Sequence, residues 1–412
     1  MRFCMLTTFY PPLNFGGDGI YVEALSRALV AQGHDVTVVH CADAFALLSP
    51  GAQPGGPDET VRDGVRVIRL RSGWGWLSAL VTQQTGRPGL KARRLREILD
   101  TGFDVVNYHN ISLVGGPALL ALPAGAALKV WTVHEHWLLC STHVFWKNKQ
   151  ARCDKRDCLR CCIRSGVPPQ AWRLTSLIDD SLAHVDAVFA PSRFTAELYR
   201  PWAAPKPVHV LPLFSALEPQ PGGEATPQSG STGQYFLYAG RVTASKGVRP
   251  MLQQIAAHPA LRIKVAGGGD LLPALRDEFA AAGHIEFLGP LDGTALAALY
   301  AGAAAVVLPS LAPETFGLTI VEAMAFGTPA VVHDAGGSRE IIDGSGAGFV
   351  FDDFAELPAL LARLLAEPQL RSDLSVRARA AHAAFYTPQA HLRNYLALLD
   401  AVRSRREAKV PA

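Results

Sequence analysis

The chain has 412 residues, 49% of them hydrophobic and 18% charged, which is enough apolar material for two cores and more length than one ordinary domain takes. A formal net charge of only +3 gives no support to wholesale nucleic-acid binding. The first apolar run breaks at Thr7-Thr8, too short for a signal-peptide core, and no uninterrupted apolar stretch approaches the ~20 residues of a spanning helix. A cytoplasmic protein is expected, with no nucleic-acid partner.

Residues 2 to 8 read as a buried strand, followed by a loop holding Pro11-Pro12 and Gly16-Gly17. Ile20, Ala24, Leu25, Ala28 and Leu29 then recur at helical spacing until Gly33 ends the pattern, and Asp35 to His40 reads as the next strand. Further strands are expected at Asp104 to His109, Lys129 to Val133 and Val185 to Ala190. From Ser215 to Gln234 proline, glycine, serine and threonine dominate, so residues 215–234 read as a linker. The alternation restarts with strands at Tyr235 to Ala239, Arg262 to Ala266, Ile285 to Leu288, Ala304 to Leu308 and Ala330 to His333. Alternating strands and helices imply parallel sheets covered on both faces. The expected architecture is α/β, two Rossmann-like doubly wound domains facing each other across a cleft. The expected boundaries are 1–214, the linker 215–234, 235–386, and a last helical stretch, 387–412, that crosses back onto the first domain.

The sharpest motif is Pro313-Glu314-Thr315-Phe316-Gly317-Leu318 running to Val321-Glu322-Ala323. It follows a strand and enters a helix, whose first N–H groups at Phe316, Gly317 and Leu318 suit sugar hydroxyls or phosphate oxygens. A carboxylate such as Glu322 accepts two hydrogen bonds from a ribose diol. Taken alone, the pair reads as a helix cap and a solvated face residue. Upstream, Arg241 and Lys246 stand just past the first strand of the second half, where two cations neutralise a diphosphate. Downstream, His333-Asp334-Ala335-Gly336-Gly337 is a strand end followed by a glycine-rich turn.

Together these residues, with Glu314 and Glu322 in E-x7-E spacing, resemble the retaining nucleotide-sugar glycosyltransferases of family four, which have the GT-B fold. The resemblance covers nearly the whole chain and is strongest from Tyr238 to Phe351. It implies that Arg241 and Lys246 hold the donor pyrophosphate, Glu322 the ribose and Glu314 a hydroxyl of the transferred sugar, with Phe316, Gly317 and Leu318 supplying backbone N–H groups. No catalytic metal is expected, because the two cations take its place. In the first half, Gly16-Gly17 resembles the family's phosphate-approaching loop, His134 the strand-end histidine at the transferred sugar, and His109 a second histidine on the acceptor side. Both histidines are also open to a core or supporting role. The partners implied are a nucleotide-diphosphate sugar donor and a glycan or lipid-linked acceptor, in cell-envelope glycan, polysaccharide or glycolipid synthesis. Rival readings are a nucleotide-sugar epimerase or phosphorylase on the same fold and a non-catalytic nucleotide-sugar-binding protein. A dehydrogenase fits less well, since the first glycine loop lacks G-x-G-x-x-G.

Two features fall outside that pattern. Cys4 and Cys41 lie in strand-like runs and read as core thiols, whereas Cys140, Cys153, Cys158, Cys161 and Cys162 crowd one segment. Cys140, Cys153, Cys158 and Cys161, with Cys162 as a substitute for the last, fit a structural zinc, with reduced thiols or a disulfide as the alternatives. Trp74, Trp76, Leu77, Leu80 and Val81 precede Arg87, Lys91, Arg93, Arg94 and Arg96, a mixture that suits peripheral contact with the inner face of an anionic membrane. The alternative is a loop and a solvated helix face.

Overall fold

A computed structural model describes residues 1–49, 51, 54–154, 157–217, 219 and 234–408. The chain divides into two compact units, one made of Met1–His143, Asp157–Pro212 and Pro388–Ala412, the other of Val144–Arg156 and Leu213–Thr387.

In the first unit the strands are β1 (Arg2–Leu6), β2 (Asp35–Cys41), β3 (Glu59–Arg62), β4 (Val65–Leu70), β5 (Val105–Tyr108) and β6 (Leu128–Thr132). A two-stranded hairpin, β7 (Trp146–Lys147) and β8 (Ala151–Arg152), belongs to the second unit, and β9 (Ala187–Ala190) and β10 (Val208–Val210) complete the first. The eight strands run in the order β10-β9-β6-β5-β1-β2-β4-β3, parallel except that β3 is antiparallel to β4. Phe3 to Leu6 are fully buried because helices cover both faces of a parallel sheet, which is why this strand reads as a continuous apolar run. The helix Gly17–Ala31 follows β1, and the chain turns at Gly33 with φ of +81°, a conformation glycine adopts without steric cost.

The helix Pro388–Glu407 is part of this unit and buries Tyr395 completely. The Asn107 amide donates to the Tyr395 hydroxyl at 3.0 Å, and His391 lies 2.8 Å from the Tyr21 hydroxyl through Nε2 and 2.8 Å from the Pro212 carbonyl through Nδ1. Burial holds the His391 pKa down to about 4, against the opposing effect of its bond to the Pro212 carbonyl. Residues 409–412 of the expected C-terminal stretch lie outside the described residues.

The second unit holds β11 (Phe236–Ala239), β12 (Ile263–Ala266), β13 (Ile285–Gly289), β14 (Ala305–Leu308), β15 (Ala330–His333) and β16 (Gly348–Phe351). They form one parallel sheet, ordered β13-β12-β11-β14-β15-β16. Its core packs Phe236, Tyr238, Met251, Leu252, Ile263 and Phe351. Most of the expected linker, residues 218 and 220–233, lies outside the described residues.

Each sheet has one point where the strand order reverses. In the first it is β1, flanked by β2 and β5; in the second it is β11, flanked by β12 and β14. Ligands in open parallel sheets bind at the carboxyl ends of strands beside such a reversal. The expected site residues at Arg241, Lys246 and Glu314 follow β11 and β14, and Gly16 and His109 follow β1 and β5.

Candidate active site

The second unit brings Lys246 and Glu314 together although they are 68 residues apart. Lys246 sits in the short turn Ala244–Lys246 after β11, and its Nζ donates to Glu314 Oε1 at 2.6 Å. The Ser310 hydroxyl donates to the same oxygen. Gly247 allows this approach: its φ is +66°, and a Cβ there would stand 1.9 Å from the Pro309 carbonyl oxygen. The Glu314 backbone is fixed as well, its N–H donating to Ala335 O at 2.9 Å and its carbonyl accepting from Gly337 N at 2.8 Å. Burial alone pushes the Glu314 carboxyl upward, but Lys246, Ser310 and the charge of Arg241 outweigh it and hold the pKa below the ordinary value. Glu314 is therefore an ionised acceptor at neutral pH. Arg241 is exposed beside it, on a backbone pinned by the Tyr238 hydroxyl, which donates to the Arg241 carbonyl at 2.6 Å.

Phe316 is buried, with its ring 6.0 Å from that of Tyr386, so the following Gly317 and Leu318 are held against the core. Gly317, at φ +126°, precedes the helix Leu318–Ala325, whose start carries no side-chain cap. Its first N–H groups are thus available to an oxygen ligand. Glu322, further along this helix, accepts a 2.7 Å hydrogen bond from the Tyr300 hydroxyl, and burial raises its pKa against that bond.

The first unit gathers a different set. His109, 2% exposed at the end of β5, has Nδ1 2.9 Å from Nε2 of His134, which follows β6. Burial, then the neighbouring imidazoles of His134 and His391, depresses His109 well below the ordinary histidine value. Burial takes His134 down to about 4, with Glu135 opposing. Both rings are neutral at neutral pH, and one donates to the other. His109 Nε2 is buried without a hydrogen-bond partner. Gly16 at φ +83° precedes the helix start at Gly17, with open space where a Cβ would stand.

Several members of these groups are not among the residues that the sequence singles out. Asp18 accepts from the Asn110 amide at 3.0 Å and the Gly19 N–H at 3.0 Å, yet burial, reinforced by Glu135, raises it to about 6. Its position directly after Gly16-Gly17 was the available signal. Ser310 and Tyr300 carried none, since each reaches its glutamate only through the fold.

The cysteine segment is divided: Cys153 groups with the second unit, and Cys140, Cys158 and Cys161 with the first. No three His, Cys, Asp or Glu side chains among the described residues form a metal-holding group, and all seven cysteines are thiols. Cys162 Sγ lies 3.1 Å from the Ser141 hydroxyl. Burial raises the Cys4 thiol to about 12 and the Cys41 thiol to about 11, as inert core residues require.

Near the aromatic stretch, Trp74 is 64% exposed and Trp76 49%. The expected cation Lys91 is not at the surface. It is buried, its Nζ donating to Ser78 O, Ser78 Oγ and Thr82 Oγ1 at 3.1, 3.1 and 2.8 Å, because these acceptors from one helical turn enclose the ammonium. Arg87, Arg93, Arg94 and Arg96 are exposed. No helix of the described residues is long and apolar enough to cross a membrane.

Two sheets, one parallel and one parallel but for β3, each with its polar cluster at a strand-order reversal, define an α/β protein of the Rossmann-like class. Residues 16–213 match the glycosyl transferase 4-like domain and residues 225–381 the glycosyl transferases group 1. The chain is 30% identical over 404 residues to the glycogen synthase of Mycobacterium tuberculosis (strain H37Rv), covering 92% of this chain and 89% of that protein. It is 28% identical over 425 residues to the D-inositol 3-phosphate glycosyltransferase of Xylanimonas cellulosilytica, covering 93% of each. The sucrose-phosphate synthase of Thermosynechococcus elongatus is similar in structure, with a TM-score of 0.74 at 20% identity over 98% of this chain and 99% of that one. HepE of Anabaena, solved in complex with UDP-glucose, gives 0.65 at 16% identity over 97% and 100%. The chain belongs to the family-four glycosyltransferases of the GT-B fold.

Proposed function

We propose that the chain takes a sugar from a nucleoside-diphosphate donor and transfers it, with retention, to a hydroxyl of a glycan or lipid-linked acceptor in cell-envelope glycan, polysaccharide or glycolipid synthesis. The observation that carries the donor assignment is the Lys246–Glu314 pair at the strand-order reversal, with exposed Arg241 beside it. Arg241 and Lys246 neutralise the pyrophosphate and stabilise the charge that grows on it as the glycosidic bond breaks, so no catalytic metal is invoked. Glu314 accepts from a hydroxyl of the sugar, and the uncapped N–H groups at Phe316, Gly317 and Leu318 meet sugar and phosphate oxygens. Glu322 takes the ribose, exchanging or sharing its bond to Tyr300. His134 meets the transferred sugar, Gly16 and Gly17 approach the donor phosphate and the acceptor, and His109 serves the acceptor side. Retention follows if the departing phosphate takes the acceptor proton on the face it leaves. A nucleotide-sugar donor is also consistent with the UDP-glucose held by HepE. Peripheral membrane contact through Trp74 and Trp76, with the exposed arginines, suits a lipid-linked acceptor.

A thermal-shift screen of UDP-, GDP- and ADP-sugars tests the donor assignment: one donor should raise the midpoint. Glu322→Ala should bind that donor at least tenfold more weakly, a loss of about 1.4 kcal/mol. Equal affinity would remove the ribose contact.

A further inference from the structure

The hairpin of β7 and β8 has no part in the donor chemistry, yet it is anchored to the loops that present it. Arg152 Nε donates to the Leu311 carbonyl at 3.1 Å and its Nη2 donates to the Asp334 carbonyl. Leu311 follows β14, and Asp334 follows β15. His333 draws the next strand in, with Nδ1 2.8 Å from Ser310 O and Nε2 3.2 Å from Asp352 O beyond β16. The carboxyl ends of β14 and β15 are thus tied to one inserted hairpin, and His333 joins that of β16 to them.

Between them lies a cavity of about 360 Å³ lined by Trp146, Arg152, Leu311, His333, Asp334 and Asp352. That volume is within the range of small-molecule sites, roughly 300–1,000 Å³. Its chemistry narrows the occupant. The Trp146 indole N–H is buried without a hydrogen-bond partner, and the exposed Asp352 carboxylate makes no ion pair among the described residues. An indole beside an exposed carboxylate that makes no ion pair suits a ligand with hydroxyl donors on an apolar ring. Asp334 is paired with the Arg339 guanidinium at 2.6 Å, which leaves Arg152 against Asp352 and no net charge to draw a phosphate or a uronate. The cavity also shares its loops with the donor residues: Leu311 N donates to Ser245 O at 2.9 Å next to Lys246, and Glu314 N donates to Ala335 O.

We propose that this cavity is a subsite for a neutral sugar residue of the acceptor, held away from the reacting hydroxyl so that its binding energy positions the acceptor. The assignment rests on the glycosyltransferase reading and narrows its acceptor to a neutral glycan rather than a phosphorylated polyol.

The test is a screen of the full chain against neutral and uronate-bearing oligosaccharides, followed by calorimetric titration of the best neutral binder. Trp146→Ala and Asp352→Asn should each weaken that binding at least tenfold while leaving the thermal shift given by the donor nucleotide sugar unchanged, which also shows that the second unit is folded. If Trp146→Ala loses the shift, the conservative surface change Asp352→Asn decides. Absence of any neutral binder, preference for uronates, or variants that bind like the parent would overturn the subsite. A missing nucleotide-sugar shift with intact saccharide binding would instead sink the donor assignment and leave the subsite standing.

Discussion

Lys246 and Glu314 should be energetically coupled as well as adjacent. At 2.6 Å, with the two side chains 24% and 15% exposed, an effective dielectric of about 20 gives an attraction of about 6 kcal/mol before desolvation. Desolvation of both ions removes the larger part, leaving a net coupling of about 2 kcal/mol. Lys246→Ala leaves the Glu314 carboxylate with only Ser310 and the more distant Arg241, and should cost about 2–4 kcal/mol at pH 7. Glu314→Gln should cost about 1–2 kcal/mol, because the partly exposed ammonium can turn to water. The double variant should recover part of the loss, giving a coupling energy of about 1–3 kcal/mol in a urea double-mutant cycle without nucleotide. The sign with pH follows from Glu314: its folded pKa is depressed, so its contribution is present above the ordinary carboxylate pKa and lost as pH falls through the folded value. Additive single effects, or a coupling that does not fade in acid, would mean that the two side chains are adjacent without being coupled.

Asp18 should behave in the opposite sense. Its folded pKa of about 6 lies above the ordinary 3.8, so the folded state takes up the proton first and stability falls as pH rises from about 4 to 6, by about 3 kcal/mol if the shift is fully expressed. Denaturation of Asp18→Asn across that window should show this slope gone. Tyr300→Phe removes the hydroxyl that meets Glu322 and should cost about 1–2 kcal/mol at neutral pH, a loss that shrinks as acid protonates Glu322. Gly247→Ala places a methyl against the Pro309 carbonyl in a left-handed conformation; urea midpoints should register a loss of at least about 2 kcal/mol, together with the nucleotide-sugar shift. Elemental analysis of the purified protein addresses the cysteine segment, where about one equivalent of zinc per chain is what a structural site requires and metal-free protein removes it.

The strands were the most readable part of the fold, because a parallel strand covered on both faces is a short apolar run such as Phe3 to Leu6 or Ala305 to Leu308. The β3–β4 hairpin has a local signal as well: Asp63-Gly64, with φ of +50° and +76°, is the two-residue turn that antiparallel strands prefer. In the candidate site, Glu314 and Glu322 are legible because they share one local motif, and Lys246 because it stands in a second one just past β11. Tyr300, 22 residues from Glu322, is not, because a helical tyrosine declares no partner until strands and helices are packed. The hairpin Trp146–Arg152 misled for a related reason: sequence neighbours place it in the first half, while Arg152 finds its acceptors at Leu311 and Asp334.

Neither unit is a continuous piece of chain. The first is closed by Pro388–Glu407, which brings Tyr395 to Asn107 and His391 to Tyr21, and all of Leu213–Thr387 is made before that helix exists. At roughly 5–20 residues per second, the ribosome takes on the order of ten seconds or more to make the intervening unit. During that interval the amide of Asn107 and the hydroxyl of Tyr21 wait without their final partners. The first unit's strands are all made before β11, yet its fold closes only with a helix that is made after the second unit.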